Sequence, residues 1–257
     1  MGVLNVTPDS FSDGGRYFGG ARAVARAFAM VEEGADLIDI GGESTRPGSA
    51  PVAEAEELRR VLPVLEALHA VPIPLSVDTR RPGVMRAALA AGASMVNDVE
   101  ALGAPGALEA VASSACAVCL MHMQGRPATM QQAPHYADVV GEVKEFLGRR
   151  LDACEAAGIA RARLVIDPGF GFGKALAHNV VLLQRLGELA ALGVPVLAGL
   201  SRKSMLGAIL GRPAADRTAA SLAAALLAAQ QGAKILRVHD IRETRDALAV
   251  WQALATP

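Results

Sequence analysis

The amino-acid sequence predicts a single α/β domain, residues 1–257, folded as a (β/α)8 TIM barrel. Eight short apolar runs alternate with segments of helical periodicity along the whole chain. Most runs end at a polar residue and are followed by a loop that contains glycine or proline. A chain of 257 residues is long enough for one barrel, and two small domains are the alternative. The active site of such a barrel lies at the C-terminal ends of its strands.

The strand predictions come from runs of valine, leucine, isoleucine and alanine, which suit parallel strands buried on both faces. In chain order they are Val3–Val6, Leu37–Ile40, Pro74–Val77, Ser94–Val96, Ala117–Met121, Leu164–Ile166, Val194–Leu200 and Ile235–Val238.

Helices are predicted over 21–33, 54–69, 82–91, 106–112 and 137–157, where apolar residues recur every three or four positions. Gly34 and Gly92 suit the left-handed position that follows a helix, and Pro82 suits the first turn of one. The alanine-rich segment 219–229 predicts another packed helix.

The sequence Asp167–Lys174, DPGFGFGK, follows the sixth strand and predicts a tight glycine loop next to a carboxylate. Its glycines do not have the spacing of a phosphate-binding P-loop or of a dinucleotide fingerprint. A structural connection with a capping aspartate is the alternative to a binding loop.

Two loops, Thr7–Gly20 and Gly42–Ala53, are longer than most strand-to-helix loops of a barrel. They are rich in glycine and serine and offer no apolar face, so we expect them to be the least ordered segments without ligand. Long loops over a barrel mouth often serve as lids, and surface insertions are the alternative.

Composition excludes several classes of function. The net charge of −1 gives no electrostatic basis for binding nucleic acid or an anionic membrane. We find no apolar run long enough to cross a bilayer and no signal peptide, and the sequence predicts a cytoplasmic protein. Cys116 and Cys119 lie three apart in a predicted strand, so they point to opposite faces and suit no metal site. His122 is predicted as a packed residue rather than a metal ligand.

The polar residues at the predicted strand ends divide by their chemistry. Asp78, Asn97 and Asp167 suit a flat heterocycle with several N–H donors, which a carboxylate can accept side by side. A second group suits a phosphate or pyrophosphate and consists of Arg46, Lys203, Arg237 and His239. For Arg237 and His239 the alternative is a structural ion pair with Asp240 or a contact with a helix end.

Seven motifs, in the same order along the chain, resemble those of the dihydropteroate synthase family. They are NVTPDSFSDGG at 5–15, ESTRPG at 43–48, SVDT at 76–79, MHMQG at 121–125, DPGFGFGK at 167–174, SRK at 201–203 and RVHD at 237–240. The resemblance extends to about Leu254. The family usually has residues ahead of the first strand, where this sequence begins, so we expect the floor of the barrel to lack its usual cover.

The resemblance implies that a dihydropterin-methyl group passes from its pyrophosphate ester to p-aminobenzoate, with Mg²⁺ as cofactor and a homodimer as the assembly. It implies a pterin site of Asp78, Asn97, Met121, Asp167, Phe172, Gly199, Lys203 and Arg237. It implies a pyrophosphate site of Asn5, Thr45, Arg46, Arg237 and His239, with Asn5 as the magnesium ligand. The p-aminobenzoate pocket is implied at Phe11, Pro47, Phe172 and Ser201, with Asp13 over the reacting carbon. Catalysis is implied for Asn5, Asp13, Asp78, Lys203 and Arg237.

Two other functions fit parts of the pattern. A pterin-binding methyltransferase would share the carboxylate and amide pocket but would not need Arg46, Lys203, Arg237 and His239. A non-catalytic pterin carrier would not need a magnesium ligand at Asn5. The long loops and the cationic group favour the synthase.

Overall fold

The fold was determined from a computed structural model, which describes residues 1–7, 16–44 and 49–255, without the side chains of 16–19 and 215. The strands are β1 (Gly2–Asn5), β2 (Ile38–Gly41), β3 (Leu75–Asp78), β4 (Met95–Asp98), β5 (Ala117–Met121), β6 (Leu164–Asp167), β7 (Leu197–Ala198) and β8 (Ile235–Leu236). The helices are α1 (Arg16–Glu32), α2 (Glu54–Ala67), α3 (Pro82–Ala90), α4 (Ala107–Ala112), α5 (Val139–Ala156), α6 (Leu176–Gln184), α7 (Ser204–Leu210), α8 (Thr218–Gln230) and α9 (Ile241–Ala255).

The eight strands form a closed parallel ring, which confirms the predicted barrel. β1 to β6 pair consecutively in one sheet, and β7 pairs with β8. Two single bridges join these sheets, one between Ile166 and Val196 and one between Gly2 and Val238. At the second junction the Val3 amide donates to the Val238 carbonyl at 3.0 Å. We call these two junctions the seams of the barrel.

Two cores lie on the two sides of the ring. The larger one fills the space between strands and helices, and Ile38, Ile40 and Cys116 belong to it. The smaller one fills the inside of the ring and consists of Met95, Cys119, Val165 and Leu197. Cys116 and Cys119 therefore lie on opposite sides of the ring, as predicted, and all three cysteines of the chain are free and buried. Among the described helices, none combines the length and the apolar character that a membrane crossing requires.

The predicted bounds of helix α1 and of strands β7 and β8 are wrong. Helix α1 begins at Arg16, five residues before the predicted start. Gly19 and Gly20 weaken the local helical signal, but the face with Ala23, Ala27 and Met30 is buried and stabilises the helix. Strands β7 and β8 have two residues each, shorter than Val194–Leu200 and Ile235–Val238. Pro195 lacks an amide hydrogen and limits the ladder of β7.

Candidate active site

The strand register aligns several of the predicted site residues in one row. Asn5 is paired with Gly41, Gly41 with Asp78, and Asp78 with Asn97, across four neighbouring strands. Asp167 ends β6 opposite Met121. Because the strands are parallel, all these residues lie at the same end of the barrel, where the active site was predicted.

Arg237 follows β8 and binds two carboxylates inside this end of the barrel. Its Nε donates to Asp39 Oδ2 at 2.7 Å, and its Nη2 donates to Asp78 Oδ2 at 2.7 Å. Asn97 Nδ2 donates to the same Asp39 oxygen at 3.0 Å. Arg237 therefore pairs with Asp39 and Asp78, and the alternative of an ion pair with Asp240 is wrong.

Asp39 is the site residue that the sequence analysis missed. It is fully buried in the middle of β2, between Ile38 and Ile40, so it was not among the strand-end residues. The signal was the alternation itself, because the two isoleucines face the helices and the residue between them must face the inside of the barrel. One of its oxygens, Oδ1, has no hydrogen-bond partner among the described residues.

Burial changes the acidity of these charged groups. It raises the pKa of Asp78 to about 7, against the opposing effect of Arg237. It also raises the pKa of Asp167, against the Gly169 amide and the charge of Lys203. It lowers the pKa of Lys203 to about 8, although Asp167 favours the ammonium. The site thus combines acceptors and cations that are only partly hydrated, and such groups interact strongly with a bound polar ring.

Asp167 is surrounded by the other residues assigned to the pterin. Its Oδ1 accepts the Gly169 amide hydrogen at 2.7 Å. The Lys203 ammonium lies 4.2 Å from the centre of the Phe172 ring, a cation–π contact. A methyl group added to Gly199 would lie 4.0 Å from Asp167 Oδ2 and 3.9 Å from the Arg237 Cβ. Gly199 thus leaves open the space between these two side chains, and Met121 is buried beside Gly169.

His239 and Ser201 contact each other at the β7–β8 side of the mouth. His239 Nδ1 lies 3.0 Å from Ser201 Oγ, and the His239 amide donates to the same oxygen at 3.3 Å. Asp240 is instead bound by Arg202, with Nε donating to Oδ2 at 3.2 Å. The alternative of an ion pair between His239 and Asp240 receives no support from these contacts.

The root of the second long loop is held by a charged network that the sequence analysis did not identify. Glu43 accepts the Val52 amide at 2.9 Å and the Arg80 Nε at 3.1 Å. Arg80 also donates to Glu100 at 2.9 Å. Both ends of the loop are therefore fixed to the strand-end region of β3 and β4. Five predicted site residues lie outside the described residues: Phe11, Asp13, Thr45, Arg46 and Pro47.

Protein side chains alone do not assemble a metal centre in the part of the chain that the structure describes. Within 1–7, 16–44 and 49–255 no group of three or more His, Cys, Asp or Glu residues could hold an ion. His122 is buried, and its ring packs edge-on against Phe146 at 5.0 Å between centroids. It is a packed strand-end residue, as predicted.

Comparisons with known proteins identify the family of this chain. Residues 1–239 match the model of the pterin binding enzyme family. The chain is 52% identical to dihydropteroate synthase of Escherichia coli over 254 residues, 98% of this chain and 90% of the relative. It superimposes on Xanthomonas albilineans dihydropteroate synthase with 4-aminobenzoic acid, with 59% identity, a TM-score of 0.95 and coverage of 100% and 93%. It also superimposes on that enzyme in complex with 7,8-dihydropteroate, with 57% identity, a TM-score of 0.92 and the same coverage. The acceptor-lined barrel mouth and these likenesses lead to one conclusion: the chain belongs to the dihydropteroate synthases of the pterin-binding enzyme family.

Proposed function

We propose that the strand-end residues described above carry out the reaction of this family. The enzyme condenses 6-hydroxymethyl-7,8-dihydropterin diphosphate with p-aminobenzoate and releases 7,8-dihydropteroate and pyrophosphate, a step of folate biosynthesis. The observation that carries the proposal is the set of acceptors at one end of the barrel, the buried Asn97 and Asp167 with the mostly buried Asp78, flanked by Arg237 and Lys203. It offers acceptors to the N–H donors of the pterin and cations beside its polar edge.

The same arrangement suits a dissociative reaction. Breaking the carbon–oxygen bond leaves a cation conjugated with the pterin ring, which the carboxylates of Asp78 and Asp167 stabilise. Negative charge moves onto the pyrophosphate, and we assign its binding to Asn5, Thr45, Arg46, Arg237 and His239. The arylamine of p-aminobenzoate then attacks the carbon, and such a reaction needs no strong base. We place the arylamine pocket at Phe11, Pro47, Phe172 and Ser201, with Asp13 over the reacting carbon.

Magnesium is part of the proposal. Asn5 ends β1 in the row of strand-end residues and is partly exposed, so its amide oxygen can serve as a hard ligand. Mg²⁺ usually takes one or two protein oxygens and completes its shell with water and substrate phosphates, so a single amide ligand from the protein is compatible with its binding. When bound, the ion would neutralise charge on the pyrophosphate.

We further propose a cytoplasmic homodimer. The cytoplasmic location is supported by the three free, buried cysteines, which suit a reducing compartment. The dimer is supported by the family membership.

The proposal is tested by turnover and by one substitution. The purified chain should form dihydropteroate from the two substrates in the presence of Mg²⁺. Asp167→Asn should bind pterin roughly 30- to 1,000-fold more weakly, about 2–4 kcal/mol, because an amide donor then faces the donors of the ring. Calorimetry with a pterin measures this loss. Near-parental affinity in the variant would remove Asp167 from the pterin site.

The two substrate sites should be coupled. If Asn5 and Arg46 hold the long loops through Mg²⁺ and pyrophosphate, p-aminobenzoate should bind about tenfold more tightly when both are present, a coupling of roughly 1–3 kcal/mol. Arg46→Ala should weaken this coupling more than it weakens pterin binding. Asn5→Ala should lower kcat and change the magnesium dependence of the reaction. A titration of p-aminobenzoate with and without Mg²⁺-pyrophosphate measures the coupling. Equal affinity in both conditions would mean a preformed pocket.

A further inference from the structure

Lys174 is a buried lysine at the base of the active site to which no role has been assigned. Burial lowers the pKa of its amine to about 7, while the Asp167 carboxylate favours the charged ammonium. Only 2% of the residue is exposed. Its ammonium lies 2.9 Å from His122 Nδ1, 2.9 Å from the Gly169 carbonyl oxygen, 3.1 Å from the Phe172 carbonyl oxygen and 3.4 Å from the His122 carbonyl oxygen. An ammonium has three hydrogens, so the three shorter contacts satisfy it. We call this arrangement the Lys174 cradle.

The neutral form of His122 completes the cradle. Burial and the charge of Lys174 lower the pKa of His122 to about 3, so the ring is neutral at physiological pH. Its Nδ1 is then the acceptor for the lysine, with the ring hydrogen on Nε2. The end of β5 and the loop after β6 are therefore joined through one ammonium group.

The loop between Asp167 and Lys174 is shaped around this ammonium. Gly169, Gly171 and Gly173 all have positive φ, between 63° and 79°, and the tight turn of this backbone brings the carbonyls of Gly169 and Phe172 to the ammonium. Without the ammonium, three acceptors would face one another with no hydrogen-bond donor between them: the carbonyl oxygens of Gly169 and Phe172 and the Nδ1 lone pair of His122. Buried acceptors left in that state are costly, so the loop would change its shape.

The residues at the two ends of this loop are the ones that meet the pterin in the proposed function. Gly169 donates its amide hydrogen to Asp167 Oδ1 at 2.7 Å, and Gly169 accepts the Phe172 amide hydrogen at 3.0 Å. A shift of Gly169 therefore moves the carboxylate of Asp167 and the ring of Phe172 together. The charge of Lys174 also favours the ionised form of Asp167.

We propose that Lys174 is a positioning residue of the pterin site: its ammonium, shared between His122 and the glycine loop, holds Asp167 and Phe172 in the geometry that binds the ring. The inference rests on the proposed function and adds to it a residue that does not touch the substrate. It also explains why the loop combines alternating glycines with a lysine, although it has no phosphate-binding spacing.

The first experiment compares Lys174→Met, which keeps the volume and removes the charge, with Lys174→Arg and with the exposed control Lys234→Met. The Kd of 6-hydroxymethyl-7,8-dihydropterin should rise about tenfold or more in Lys174→Met and remain parental in Lys234→Met. The KM for p-aminobenzoate should rise less than the Kd of the pterin, since the lysine holds two residues of the proposed pterin site, Asp167 and Phe172, but only Phe172 of the proposed arylamine pocket. Parental pterin affinity in Lys174→Met would overturn the inference.

A pH profile separates this role from a purely structural one. Pterin binding needs ionised Asp167, so the affinity falls as the pH drops toward the pKa of that carboxyl group. Loss of the Lys174 charge raises this pKa, and the acid limb of the profile should move to higher pH in Lys174→Met and stay in Lys174→Arg. The other titratable and charged groups around the pair are Asp39, Asp78, Cys119, His122, Tyr136, Lys203 and Arg237. An unchanged limb in Lys174→Met would also overturn the inference.

A second pair of variants covers the case in which Lys174→Met does not fold. His122→Asn keeps an acceptor near the position of Nδ1, whereas His122→Leu removes it. Only the leucine variant should lose pterin affinity, and equal affinities would overturn the inference. A parental enzyme that neither binds the pterin nor forms dihydropteroate would instead refute the proposed function. If the parental enzyme turns over normally and the variants bind the pterin as tightly as the parent, only the proposed role of Lys174 is refuted.

Discussion

At the scale of single residues, Arg237 connects the two sides of the site. It is bound by Asp39 and Asp78 at 2.7 Å each, and Asn97 shares the Asp39 oxygen. Among the described residues, these four side chains form one hydrogen-bonded group. The group holds Asp78 and Asn97 in fixed positions, which would reduce the entropy cost of binding a pterin at the proposed site.

Replacing Asp39 should reveal the strength of this buried group. Asp39→Asn removes a fully buried carboxylate charge that faces the partly buried Arg237, and we expect the free energy of unfolding to fall by about 2–4 kcal/mol because the ion pair is lost. Asp36→Asn is the matched control, since Asp36 pairs with Arg245 at 2.8 Å on the surface. An exposed pair contributes about 0–1 kcal/mol. Urea denaturation of both variants measures the difference, and equal losses would contradict the assignment.

Single residues also show the limits of sequence analysis. Asp78, Asn97 and Asp167 were predictable because each follows an apolar run at a strand end. Asp39 lies inside a strand, and Lys174 lies at the far end of a loop, so their burial depends on contacts far away in the chain. Lys174 meets His122 from 52 positions away, a contact that no local pattern contains.

At the scale of elements, the loop after β6 has the tightest backbone of the site. A Cβ added to Gly169 would overlap the His122 carbonyl oxygen, and one added to Gly173 would overlap the Gln124 carbonyl oxygen. The Tyr136 hydroxyl donates to the Gly173 carbonyl oxygen at 2.9 Å and fixes the loop from the other side. The loop therefore requires glycine for space as well as for its positive φ.

Two glycine-to-alanine substitutions separate the need for space from the need for positive φ. Gly169→Ala should lower the free energy of unfolding by about 3 kcal/mol or more, because it combines a left-handed backbone with an overlap of atoms. Gly158→Ala should cost only about 1 kcal/mol, since Gly158 has φ +84° but no heavy atom within 4 Å of the added methyl group. Thermal or urea unfolding measures both. A similar cost at the two positions would show that the loop has room to relax.

The elements themselves were largely predictable. Apolar runs placed all eight strands, because parallel strands buried on both faces need continuous apolar sequence. The start of α1 and the ends of β7 and β8 were wrong. The start of α1 depends on burial of a helix face farther along the chain, which outweighs the weak local helical signal. A proline within the run shortens β7.

At the scale of the whole molecule, stability should depend on pH through His122. Burial, followed by the charge of Lys174, lowers its pKa from 6.5 to about 3. Between these values the unfolded chain binds a proton that the folded chain does not, so the free energy of unfolding falls as the pH falls from 6.5 toward 3. Carboxyl groups add to the same trend, so the contribution of His122 is read from a difference between proteins.

His122→Asn removes this contribution. The stability of the variant should fall less between pH 6.5 and 4 than that of the parent, by about 2–4 kcal/mol. The exposed His69→Asn serves as the control. Chemical denaturation at a series of pH values provides the slopes. Parallel curves for the parent and His122→Asn would show that the histidine is protonated in the folded protein.

The ion pairs of Arg237 also span one of the two seams of the barrel. Among the described residues, one bridge and a few hydrogen bonds, such as that from the Val238 amide to the Met1 carbonyl at 2.9 Å, join the β8 end to β1. Arg237 extends from the end of β8 across this junction to Asp39 on β2 and Asp78 on β3. The ion pairs that would hold the proposed pterin pocket in shape thus also link the end of β8 to β2 and β3. We therefore expect a substitution of Asp78 to weaken this contact across the β8–β1 junction as well as the proposed pterin site. In this fold, side chains of the proposed pterin site also contribute to the closure of the barrel.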